Sequence, residues 1–398
     1  MNDGSNPFVD GHQKPRFNLQ QGDVHSGHVQ NGIDDPFCIV NGSTKGKCEV
    51  LNLPQYAGRF NIRVSGNGWA DAATIDIIYD ALHMMGRDNI PVGLGNLTAL
   101  GTPSLSCTYF KAIPLGSSGY IDSDSLYGLA RDLPRSPRRY TAENSVKYGA
   151  PRDTDHPEHR QKLAFEVWES VTQKLSPGEK IFFLTNGPLT NLATIILSDT
   201  EATSKIESIV IVGGHVASNS GDKGNVYTVP SNNYAEFNFF LDPRAAKTVV
   251  QSGIKTTLVP LVAQRKVASF DCILQSLQLI NKTPELDFAY KLLSLMNELQ
   301  RKHQDIFLGE ILGSVFLVEQ ANLKPIIRVK QIDVIVGDNR NEGQLVVDNV
   351  KGKLVNILES LDTEAYFTKF ACALSQQKQT AVISSFDEQK KLWSKPPA

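Results

Sequence analysis

The sequence has no unbroken apolar run near the ~18 residues that a membrane-spanning helix needs. Its first thirty residues also lack the apolar stretch of a secretory signal. Five cysteines, Cys38, Cys48, Cys107, Cys272 and Cys372, are widely separated, with no C-x-x-C pair and an odd count. That spacing indicates neither a zinc site nor a disulfide framework, and a reducing compartment is the simplest reading. Excess charge is missing too: 40 Lys and Arg against 42 Asp and Glu give a net charge of -2. Such a balance offers no electrostatic footprint for nucleic acid or an anionic membrane. A cytoplasmic protein is therefore expected, or an extracellular one if the chain is a fragment of a longer secreted precursor.

What remains is ordinary soluble-enzyme material, with 41% apolar and 21% charged residues in a chain of 398. Residues 1–58 are rich in Gly, Asn, Gln, Asp and Pro and carry no helical or strand period, so they are expected to be disordered or loosely attached. Residues 59–376 are read as one domain and residues 377–398 as a polar tail. Within that domain "FNIRVSGN", "IPVGLGN", "KIFFLTNG", "SIVIVGG" and "TTLVPL" are short apolar runs closed by Gly, Asn or Pro, the pattern of buried strands. Helical patterns alternate with them at 70–85, at 160–175 and after Leu241. The last is punctuated by Asp242 as N-cap, Pro243 in the first turn and Gly253 as the stop. Strands separated by crossover helices imply an α/β fold, an open and mostly parallel doubly wound sheet. Further on, "GQLVVDNVKGKLVNIL" alternates as a terminal hairpin would, followed by a helix at 363–374.

Ligands of such sheets bind at the carboxyl ends of the strands, so the residues that follow each apolar run carry the functional question. In order they give "VSGN" ending at Asn67, "LGN" at Asn96, "LTNGPLTNLA" with Asn186, "IVGG" at Gly214, and then "GNVYTVPSNNYAEFNFFLDPRAA". Together these motifs resemble the inosine-uridine preferring nucleoside hydrolase family, most closely the domain of its large plant members. The resemblance implies hydrolysis of the N-glycosidic bond of ribonucleosides to base and ribose, with a calcium ion at the carboxyl edge of the sheet. It also implies a small-molecule nucleoside as partner, and a homo-oligomer or pairing with a second nucleoside hydrolase domain.

Carried over by residue, Glu236 and Asn238 of "AEFN" match the family's ribose-hydroxyl ligands. Asn225 of "GNVY" matches the upstream ribose-binding Asn, with Asn232 as its rival, and Asn67 matches the Gly-Asn pair near the sugar. Asn186 stands where a backbone carbonyl ligates calcium, a role that survives a change of side chain.

Elsewhere the chain departs from the pattern. The family opens with an apolar strand running into D-x-D-x-x-x-D-D, whereas "HVQNGIDD" keeps only the closing GIDD. His28 and Gln30 stand in place of the first two aspartates, and the family's usual first strand is expected to be missing. Asp34 and Asp35 are thus candidates for catalytic carboxylates, set against the plainer reading of a solvated turn before Pro36. In "FLGEILGSVFLV" Gly309 and Glu310 replace the His and Asp of the family's late helix. Glu310 keeps a carboxylate for the metal, on a side chain longer by one carbon. Two readings follow: an N-ribohydrolase, or a catalytically inactive homologue or fragment that keeps the fold as a binding module.

Overall fold

The computed structural model describes residues 62–64, 71–95, 99–100, 129, 132–134, 136, 138, 162–217, 221–226, 232–280, 282–302, 308–338 and 340–375. Two strands, β1 (Ile62–Val64) and β2 (Val92–Leu94), pair in parallel around helix α1 (Asp71–Met84). Helix α1 stops at Gly86, whose φ of 62° suits the left-handed residue after a helix end. Helix α2 (Ala164–Thr172) lies so close to β2 that a Cβ on Gly93 would stand 2.7 Å from the Ala164 Cα.

The larger sheet has six strands: β3 (Ile181–Thr185), β4 (Ile206–Val212), β5 (Thr256–Val259), β6 (Ile326–Val334), β7 (Leu345–Val347) and β8 (Lys353–Ser360). They lie in the order β3-β4-β5-β8-β6-β7. The first four are parallel, with Ile211 opposite Leu258 and Leu258 opposite Ile357, and β6 and β7 complete the sheet antiparallel. The connections are helical, as parallel pairing requires. Helices α3 (Thr190–Ser198) and α4 (Ala202–Lys205) join β3 to β4, and α5 (Phe237–Leu241) and α6 (Pro243–Gln251) join β4 to β5. Between β5 and β6 come α7 (Leu261–Lys266), α8 (Phe270–Gln278), α9 (Pro284–Lys302) and α10 (Gly309–Glu319), and α11 (Thr363–Leu374) follows β8.

Strand β4 shows why both faces are covered. Its side chains alternate with period two, so Val210 and Val212 enter one core with Leu292, Ile311, Val315 and Phe370, while Ile209 and Ile211 enter the other with Trp168, Leu192 and Val249. A strand buried on both faces must read as a continuous apolar run, which is what "IVIV" is. Each such side chain contributes about 1.5–3 kcal/mol when fully buried.

The terminal hairpin expected from "GQLVVDNVKGKLVNIL" is corrected. Strands β7 and β8 do not pair with each other; β6 lies between them, with Ile332 facing Val347 on one side and Lys353 on the other. The alternation reflects a sheet margin with one solvated face, where Val329 and Leu354 are exposed and Ile332 and Val355 buried. The expected missing first strand and the segment 1–58 lie outside the described residues. Among the described residues no helix is long and apolar enough to cross a membrane.

Candidate functional site

The site is built around the carboxyl end of β4. Beyond Val212 the backbone turns through Gly213 and Gly214, whose φ values of 145° and 85° favour glycine. The turn is tied to the next strand, since Gly213 N–H donates to the Val259 carbonyl and Leu261 N–H to the Gly214 carbonyl. Its shape leaves room for one carboxylate: a Cβ on Gly213 would stand 2.6 Å from Glu236 Oε2.

Glu236 is the N-cap of α5, where a side-chain oxygen can satisfy the first free N–H groups of a helix. Its Oε2 accepts from Asn238 N at 3.1 Å, Phe239 N at 3.3 Å and Gly214 N at 3.0 Å. Burial raises its carboxyl from 4.5 to about 7, against the opposing pull of those N–H donors and of the Asn225 side chain. The group is thereby poised to titrate near neutrality.

Asn225 completes the arrangement. Its Oδ1 accepts from Phe237 N at 2.7 Å, and its side chain also hydrogen-bonds Glu236. Asn232 is used differently, accepting from Ala235 N and donating to the Glu342 carbonyl, so of the two rivals Asn225 is the one that braces the carboxylate. Asn225 is placed by a short ladder in which Gly224 N–H donates to Asn233 and Asn225 N–H to Ala235. Arg265 secures the preceding residues, donating to the Asp222 carboxylate at 3.0 Å and to the Lys223 carbonyl at 2.7 Å. His215 sits against the same turn, with Nε2 3.1 Å from the Asp222 carbonyl, and burial lowers its pKa.

Asn238 points back to β4. Its Nδ2 donates to the Val212 carbonyl at 3.1 Å, and its Oδ1, on a residue only 2% exposed, has no hydrogen-bond partner. Asn186, directly after β3, also carries a buried Oδ1 without a partner. On the opposite side α10 lies against the strand ends, and Glu310 in its first turn is buried. Gly309 is covered by Gln264, whose Oε1 would be 2.3 Å from a Cβ there.

The structure therefore brings Glu236, Asn238, Asn225, Asn186 and Glu310 to one edge of the sheet. Asn67, Asp34 and Asp35 lie outside the described residues. Among the described residues no three His, Cys, Asp or Glu side chains gather as metal ligands. The oxygens that are gathered are hydrogen-bond acceptors, and two of them are buried without donors. That is a surrounding for a ligand rich in hydroxyl groups or for a hard cation.

One further node was not foreseen. Asp242 caps α6 through Ala245 N and also accepts from Thr190 Oγ1 at 2.6 Å and Leu100 N at 3.0 Å. It thus fastens "NGPLTN" to "FLDP", parts of two of the motifs that carry the resemblance, and burial raises its pKa. Both residues were visible in those motifs; their contact was not.

Comparison with known proteins matches residues 61–368 to the family model described as inosine-uridine preferring nucleoside hydrolase. Nucleoside hydrolase 3 of Arabidopsis thaliana is 45% identical across the whole chain, which spans 57% of that relative's length. Nucleoside hydrolase 4 of the same plant is 43% identical, with 91% of its length covered. Both alignments run 506 positions against a chain of 398 residues, so at least 108 positions of each relative have no counterpart here. Among solved structures, a plant nucleoside hydrolase superposes with a TM-score of 0.59 at 19% identity, over 84% of this chain and 96% of its own. An inosine-uridine preferring nucleoside hydrolase from Bacillus anthracis gives 0.58 at 15% identity, over 87% of this chain and 97% of its own. These two likenesses establish the α/β fold with its open, mostly parallel sheet.

Proposed function

The chain belongs to the inosine-uridine preferring nucleoside hydrolase family, and from that premise we propose that it hydrolyses the N-glycosidic bond of purine and pyrimidine ribonucleosides to base and ribose. The observation that carries the proposal is Asn238 Oδ1, an acceptor buried at the carboxyl edge of the sheet with its own amide N–H already spent on Val212. A buried acceptor without a donor costs about 1–3 kcal/mol, and a ribose hydroxyl would recover it.

Glu236 supplies the second contact to the sugar. Its carboxylate is fixed by three backbone N–H groups and Asn225, so it need not reorganise as the substrate reacts. Cleavage leaves positive charge on the sugar ring, and acceptors that hold the hydroxyls bind that oxocarbenium-like state more strongly than the nucleoside. Asn225 acts as a brace, and Asn67 is assigned to the sugar as well. Asp34 and Asp35 are assigned the proton of the attacking water.

The carboxamide oxygen of Asn186 and the buried carboxylate of Glu310 are of the oxygen types that suit the calcium ion of the family. Asn186 and Glu310 would hold it, and when bound it orients the attacking water and lowers that water's pKa.

The test is to supply the purified chain with inosine or uridine in calcium-containing buffer and quantify free base and ribose. Equimolar release is expected, with Asn238→Ala lowering kcat/KM about a hundredfold through loss of contacts worth about 3 kcal/mol in the transition state. A chain that binds D-ribose but releases no base would be a non-catalytic homologue, and the proposal would fail.

A further inference from the structure

Asn232 is 2% exposed, and both ends of its carboxamide are engaged. Its Oδ1 accepts from Ala235 N at 3.1 Å, which shapes the turn leading into "AEFN". Its Nδ2 donates to the Glu342 carbonyl at 2.8 Å, a bond that crosses 110 residues to reach the loop between β6 and β7.

From Ala235 the connection runs inward. The Ala235 carbonyl accepts from Asn225 N at 3.2 Å, Asn225 Oδ1 accepts from Phe237 N at 2.7 Å, and the Asn225 side chain hydrogen-bonds Glu236. A shift of Ala235 is therefore passed to the brace of the carboxylate.

On the outer side the hairpin of β6 and β7 is held in shape by its own bonds. Ile335 N–H donates to the Gln344 carbonyl and Gly343 N–H to the Ile335 carbonyl, both at 3.0 Å, and Gly337 N–H donates to the Glu342 carboxylate at 2.9 Å. Gly343, with φ of 79°, lets this loop lie on the backbone of α5, where a Cβ would stand 2.7 Å from the Phe239 carbonyl oxygen and from Phe240 N. Leu345 reaches the turn after β4, since a Cβ on Gly214 would stand 2.7 Å from its Cδ1. The hairpin thus meets the helix that Glu236 caps, the turn whose N–H Glu236 accepts and, through Asn232, the ladder that seats Asn225. The last contact passes through one side chain and can be removed by a single substitution.

Resting on the hydrolase reading above, we infer that Asn232 is a positioning residue for the sugar site, through which the β6–β7 hairpin fixes Asn225 and with it the Glu236 carboxylate. It touches no sugar itself. Its effect on binding is exerted through Asn225.

Calorimetric titration with D-ribose tests this, under conditions where urea unfolding shows every variant to be folded. Asn232→Ala is expected to bind D-ribose about tenfold more weakly than the native chain, having lost both hydrogen bonds. Asn232→Ser keeps an acceptor for the Ala235 N–H, and so the turn, but is a bond too short to serve Glu342 as well; it should bind about as weakly as Asn232→Ala. The double variant Asn225→Ala, Asn232→Ala should bind no more weakly than Asn225→Ala alone, because the two residues act in series. A lowered urea midpoint with native D-ribose affinity would mark Asn232 as a structural side chain and overturn the inference. Native affinity in Asn232→Ser would take the hairpin out of the account, and losses that add in the double variant would show Asn232 acting independently of Asn225; either result would overturn it too. No D-ribose binding by the native chain would remove the inference together with the sugar site of the hydrolase reading. Equal binding by the native and Asn232→Ala chains would remove the inference alone.

Discussion

Replacing Glu236 with glutamine keeps the shape of the side chain and removes its charge, which makes the pH dependence of folding a direct reading of that site. Burial lifts the carboxyl from 4.5 to about 7. Between those values the folded chain holds a proton that the unfolded chain has released. Stability contributed by this group is therefore greatest at low pH, falls as pH rises through the window, and levels off above about 7. Each unit of separation corresponds to about 1.4 kcal/mol, so from about pH 5 to about pH 8 the native chain loses about 2 kcal/mol through Glu236. Glutamine does not titrate. Urea unfolding of both chains across that range should show Glu236→Gln gaining about 2 kcal/mol on the native chain as pH rises, whatever the offset at the acid end. A difference that stays flat would mean that Glu236 titrates at its ordinary value. A difference that runs the other way would mean that the four donors outweigh burial, and the account of a site poised near neutrality would be refuted.

Thr190→Val removes the donor to the buried Asp242 carboxylate and should cost about 1.5–3 kcal/mol, with Thr190→Ser retaining most of it, as read from urea midpoints. Gly224→Ala places a Cβ 1.9 Å from the Ala235 carbonyl oxygen, so the ladder that seats Asn225 must open. A loss of about 1–3 kcal/mol in unfolding free energy is expected, together with weaker D-ribose binding in calorimetry. Arg265→Ala frees the turn at Asp222 and Lys223 and should raise KM for inosine more than it lowers kcat, while Arg265→Lys restores only part. Equal kinetics for Arg265→Ala and the native chain would show that the clasp has no influence on the sugar site.

Strand β4 could be read from the sequence because a run buried on both faces has little choice but to be apolar, whereas β3, with Phe182 exposed at the sheet edge, and β5, which opens on Thr256 and Thr257, were read from short apolar runs closed by Asn-Gly or Pro. The helix at Asp242, Pro243 and Gly253 was equally plain, since capping depends on neighbours in the chain. Strand β6 was not seen. Arg328, Lys330, Gln331 and Asp333 interrupt its apolar residues, and its place between β7 and β8 is decided by pairing that no local pattern reports. The site divides in the same way. Glu236 and Asn238 were singled out through the motif that contains them, and only the hydrogen bonds show that Asn225, and not Asn232, braces the Glu236 carboxylate. Contacts that span the chain, Thr190 to Asp242 across 52 residues and Arg265 to Asp222 across 43, leave no trace in a single sequence. Nor does an unpartnered oxygen: "LTNG" gives no sign that the Asn186 carboxamide is buried without a donor.

The central claim is that this edge of the sheet lets water displace the base of a ribonucleoside. Its most direct measurement is turnover of inosine by the purified chain with calcium in heavy-oxygen water, with both products weighed by mass spectrometry. The account predicts hypoxanthine without label and ribose carrying one heavy oxygen at the anomeric carbon. Intact inosine after prolonged incubation, or ribose without label, would contradict it.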